Sequence, residues 1–151
     1  MITTFDFAKT KIVLPTTLKV EFEQFIERAE EIRIKPILGD DLWDKLENGD
    51  YATLKTAVNL AVVYWAYDYY LREGNTKNTA LGAMQKQSDY SSNDKYERQI
   101  KIDSNIETAR FYTDKMIAML NITDYPEWVD INKTVQKPVF NVIVGDRNYE
   151  L

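Results

Sequence analysis

Neither cysteine nor histidine occurs anywhere in the 151 residues. Their absence removes disulfides, thiolate nucleophiles, Ser–His and Cys–His pairs, and the usual zinc ligands together. Any chemistry would have to rest on Asp, Glu, Lys or Tyr. Glycine and proline are scarce, at five and four residues, too few punctuators for a many-stranded β fold. No apolar run approaches the roughly 20 residues needed to cross a bilayer; the longest candidate, Leu60 to Leu71, is interrupted by Asp68. The stretch Met1 to Asp6 has no basic region leading into an apolar run, so no signal peptide is expected. Positive charge is also in short supply. The formal net charge is −5, and Lys9 with Lys11, then Lys95, Arg98 and Lys101, are each diluted by acids. Without a basic stripe to grip phosphates, tight or sequence-specific nucleic-acid binding is not expected, nor is membrane association.

What remains has the composition of a globular chain. Hydrophobic residues make up 44% and charged residues 28%, enough apolar material for one core and one domain over 1–151. The expected class is mainly α, a bundle of about four helices spanning 17–122. It carries a long inter-helix loop (74–93) and extended N- and C-terminal arms (1–16 and 123–151).

Residues 1–16 read as an extended arm ending at Pro15. A first helix is predicted from Thr17 to Ile34, with Leu18, Phe22, Phe25, Ile26, Ala29 and Ile32 at helical spacing and the glutamates, Glu30 included, facing solvent. Pro36 should end it, because the residue before a proline is pushed out of the α region. Gly39 permits a sharp turn and Asp40 is an N-cap candidate. A short helix then buries Leu42, Trp43 and Leu46 and stops at Asn48-Gly49.

With Asp50 as its cap, a third helix follows from Tyr51 to Glu73. It is apolar on two sides, one stripe holding Leu54, Val58, Ala61, Val62, Trp65 and Tyr69, the other Leu60, Val63, Tyr64, Tyr67 and Leu71. Such a helix is either central in its bundle or covered by a second chain. The fourth helix starts near Ser92-Asn93-Asp94, Asp94 and Glu97 forming a capping-box pattern. Its core stripe is Ile102, Ile106, Ala109, Thr113, Met116 and Leu120. Tyr125-Pro126-Glu127-Trp128 reads as a turn. Val139 to Val144 is a β-branched run expected to form a strand, with no sheet in its own sequence to join.

Three features are candidate sites. The acidic group Asp40, Asp41, Asp44, Glu47 and Asp50 lacks the alternating pattern of a calcium loop and is accounted for by caps and a solvated helix face. Tyr64, Trp65, Tyr67, Tyr69 and Tyr70 could stack on bases or sugars, but in an acidic chain they fit core packing plus an interface better. The Val139–Val144 run suits addition to another chain's sheet edge as well as an edge strand of its own domain. No catalytic, metal-binding or cofactor-binding residue is expected. The candidate subunit-interface residues are Tyr64, Tyr67 and Tyr70, then Leu81, Gly82 and Met84 in the loop, then Val139, Phe140, Val142 and Val144.

The stretch Ile32-Arg33-Ile34-Lys35-Pro36-Ile37-Leu38-Gly39-Asp40-Asp41-Leu42-Trp43-Asp44-Lys45-Leu46 resembles wording found in head–tail connector (adaptor) proteins of tailed bacteriophages, in particular crAss-like phages of Bacteroidetes. The order of elements is similar over residues 17–122, including a loop with a Gly (Thr79-Ala80-Leu81-Gly82-Ala83-Met84). The resemblance implies a helical subunit of a homo-oligomeric ring, a dodecamer in the common case. That ring lies in the virion neck between portal and tail proteins, and DNA passes through it. The alternative is a small helical protein-binding module or regulator acting as monomer or dimer. An enzyme using Asp or Glu with a divalent ion ranks third.

Overall fold

The computed structural model describes residues 1–14, 16–73 and 92–128. It is mainly helical, as expected, with no strand among the described residues. The Val139–Val144 run and residues 74–91 of the expected loop lie outside them.

The amino-terminal segment is not extended. Phe5–Lys9 form a short helix, α1, whose N-cap Thr4 accepts a hydrogen bond from the Phe7 N–H. Ile2, Phe5, Ala8 and Leu14 are all buried. A Thr cap followed by apolar residues three apart is a helix signal that the proximity of Pro15 obscures. After a 3₁₀ turn at Thr16–Leu18, α2 runs Lys19–Ala29 and buries Phe22, Ile26 and Ala29.

The chain does not leave the helix at Pro36. It widens into a π turn over Glu30–Ile34, in which the Lys35 N–H donates to the Glu30 carbonyl, and continues as α3, Lys35–Leu38. One extra residue in the turn rotates every later side chain by about 100°. Ile32, expected in the core, is therefore 56% exposed, while Glu30, expected in solvent, is 3% exposed. Ile34 and Leu38 become fully buried. Their burial outweighs the mild bias against α geometry before a proline, and Pro36, within the first turn of α3, has no N–H that needs an acceptor.

Gly39 has φ +80° and ψ 161°, a region essentially closed to residues with a Cβ. It turns the chain from α3 into α4, Asp40–Glu47, and is itself the N-cap, its carbonyl accepting from the Trp43 N–H. Asp40 stands one place further on, inside the first turn, where a carboxylate still favours the helix dipole. Leu42, Trp43 and Leu46 are buried as expected. Similarly, the Tyr51 carbonyl, at φ 53°, accepts from the Lys55 N–H, so Tyr51 and not Asp50 begins the next helix.

That helix, α5 (Ala52–Glu73), is the centre of the bundle. Helix α2 covers one side and α6 (Ser92–Met119) returns antiparallel along the other, pairing Tyr51 with Tyr125 and Tyr64 with Tyr112. Two polar bonds fix the α5–α6 register: Asn105 Nδ2 donates to the Tyr64 carbonyl, and Trp65 Nε1 donates to Thr113 Oγ1. Beyond α6 the chain turns, Tyr125 is buried, and Trp128 Nε1 reaches the Ile37 carbonyl, tying the end of the bundle to α3.

Glu30 anchors the amino-terminal segment. Its carboxylate accepts from the Ile2 and Thr3 N–H groups at 2.9 and 2.7 Å, and the Thr3 hydroxyl donates to Asn59 of α5. Burial raises the Glu30 carboxyl above its ordinary 4.5, outweighing the Thr3 and Ile2 amides, which pull it down. The protonated acid is thus favoured in the fold. This group's contribution to stability is complete below 4.5 and is lost as pH rises through the higher folded value. Glu30→Gln keeps an acceptor and should lack that pH dependence in urea titrations. Glu30→Ala strands two buried N–H groups and should cost about 2–4 kcal/mol at pH 7.

Candidate subunit-interface surface

The tyrosines picked out in α5 do not share one face. Tyr67 and Tyr70 stack on each other, with ring centroids 6.0 Å apart and planes 20° from parallel. Tyr70 packs edge-on against Phe22 and Phe25 of α2, at 6.0 and 6.3 Å, and Phe22 in turn meets Phe5 of α1. Tyr64 lies on the α6 side, stacked on Tyr112 at 5.1 Å with planes 6° apart. Burial raises the phenol pKa of both Tyr64 and Tyr70. All three tyrosines are half-buried, and their ring contacts lie within the chain.

Trp65 and Tyr69 are likewise engaged. Arg33 lies over the Trp65 indole, 4.5 Å from the ring centroid, while its Nε donates to the Tyr69 hydroxyl. Arg28 lies over Tyr69 at 4.4 Å and donates two hydrogen bonds to Glu73. The aromatic run therefore serves as the packing surface of a central helix. Leu81, Gly82 and Met84, and Val139, Phe140, Val142 and Val144, lie outside the described residues.

The acidic group holds no shared centre. Asp40 lies 3.7 Å from the Lys35 ammonium, Asp50 4.0 Å from Lys45, and Glu47 pairs with the Met1 amino group. That last hydrogen bond lowers the Glu47 carboxyl below its ordinary value. Among the described residues no three or more potential ligands converge on a metal position. The buried polar groups are bonded within the fold: Asp68 accepts from Arg72 Nε, Asn105 donates to α5, and Thr3 and Glu30 hold the amino-terminal segment.

Sequence reasoning passed over the outer side of α6. Tyr96, Ile100, Phe111 and Ile117 are exposed there, at 70%, 49%, 52% and 41%. The signal was available, because none of the four falls on the core stripe of Ile102, Ala109, Met116 and Leu120. Apolar residues off the core stripe of an amphipathic helix need another reason to be present.

The described residues thus make an all-α bundle wound around α5, with apolar side chains left outward on α6. The chain belongs to a family of unknown function, DUF6712, whose model matches residues 34–137. The match covers the Gly39 turn and helices α4 to α6. No curated protein and no solved structure matches the chain.

Since Tyr70 packs inside its own chain, Tyr70→Ala should destabilise the isolated protein by about 2–4 kcal/mol. The urea midpoint measures this; an unchanged midpoint would mean that Tyr70 contributes only to contacts between chains.

Proposed function

We propose that this chain is a structural subunit that assembles with copies of itself and with neighbouring proteins. The assembly we propose is the head–tail connector ring of a tailed phage, in the virion neck. The observation that carries the assembly reading is the outward display of Tyr96, Ile100 and Phe111 on α6. The core is complete without them, and exposed large apolar side chains sharing a helix face mark a contact surface.

The connector reading is supported by the Ile32–Leu46 wording, whose turn at Gly39 joins α3 to α4. A net charge of −5 suits the role. A channel wall that repels phosphate lets DNA pass without holding it. On this reading the partners are a portal above and tail proteins below, with no cofactor.

Co-expression with the portal and tail products of neighbouring genes tests the proposal. Electron microscopy should find a closed ring of this chain seated on the portal. Failure to bind either product would overturn the connector reading, and a lumen lined by Lys and Arg would overturn the account of its charge.

A further inference from the structure

The exposed side of α6 complements itself. At about 100° per residue, Tyr96, Ile100, Glu107 and Phe111 project from one side of the helix, opposite the buried Ile102, Asn105, Ala109 and Met116. Glu97 and Lys115 flank this face on one edge, Asp103 and Arg110 on the other, all four exposed. Among the described residues none of these four joins an ion pair within the chain. Asp103 accepts from Gln99, and Lys115 lies 4.6 Å over the Phe111 ring.

We propose that this face is covered by the same face of a second copy, the two α6 helices running antiparallel about a dyad at the level of Ile106. Such a dyad sets each edge of the helix against the same edge of its partner. Ile100 then meets Phe111 of the second copy, Glu97 meets Lys115, and Asp103 meets Arg110, each contact occurring twice. Asp114 faces Gln99, while Lys101 lies further round, off the contact. A parallel pair would instead set the Glu97–Lys115 edge against the Asp103–Arg110 edge, acid beside acid and base beside base, which is repulsive.

Glu107 is the unfavourable member, since its two copies approach each other near the dyad. With few apolar side chains per copy, the contact is smaller than the roughly 1,200–2,000 Å² of a stable dimer. The pair is therefore concentration-dependent. This inference goes beyond the connector reading. A two-fold contact closes at two copies and cannot propagate a ring, so the pair belongs to the free protein and ring assembly must open it.

The absence of cysteine makes the register directly testable. Ile100→Cys and Phe111→Cys chains mixed under mild oxidation should form a disulfide-linked pair. Either variant alone should not, because equivalent residues then sit about 15 Å or more apart along the helix axis. In sedimentation equilibrium, Glu97→Lys or Lys115→Glu should weaken pairing roughly three- to tenfold, and the doubly swapped chain should recover it. Glu107→Gln should tighten it.

No cross-link in the mixture, equal cross-linking of single variants, or no recovery in the double swap would overturn the arrangement. A ring on the portal without the cross-link would sink this inference and leave the connector reading standing. A cross-link without portal binding would do the reverse.

Discussion

A helix that is apolar on more than one side has to be covered on more than one side, and the 22-residue α5 imposes that demand on the whole molecule. Leu54, Val58, Ala61, Val62, Val63 and Ala66 are fully buried along it. No single neighbour can cover such a surface, so α2 takes one side and α6 the other. The aromatic residues follow from this. Tyr70 meets the phenylalanines of α2, Tyr64 stacks on α6, and the wide faces of Trp65 and Tyr69 are closed by arginine guanidinium groups. The aromatic cluster forms the wall between three helices.

The demand reaches the amino-terminal segment through the π turn. Inserting one residue brings Ile34 and Leu38 into the core, while Glu30, one regular turn after the buried Ile26, opens the widened turn with its carboxylate already inward. A buried carboxylate must be bonded or neutralised. The Ile2 and Thr3 amides supply the bonds, and their geometry holds α1 against α2. One buried carboxylate thus places a helix that is remote in sequence.

Among the described residues the buried polar groups are all bonded, and what can meet other molecules is the periphery. The outer side of α6 shows apolar side chains set among charges of both signs, and its two halves carry opposite signs at the edges. That pattern is the physical ground for reading this protein as one made to assemble. The proposed connector role rests in addition on the wording around Gly39.

Much of this was legible in the amino-acid order. The scarcity of Gly and Pro and the periodicity of Leu42 to Leu46, Leu54 to Tyr69 and Ile102 to Leu120 define a mainly helical chain, because local spacing fixes which side of a helix can be buried. The Gly39 turn was legible too, since its conformation is closed to other residues. The sequence left open whether α5 was central or half-covered by another chain, and only the packing of α2 and α6 against it decided that. Nor could spacing reveal the π turn, which turns Ile32 outward and brings Ile34 into the core. A widened turn is stabilised by distant contacts, here Ile34 and Leu38 in the core and the amides of Ile2 and Thr3 on Glu30, and no local signal encodes them.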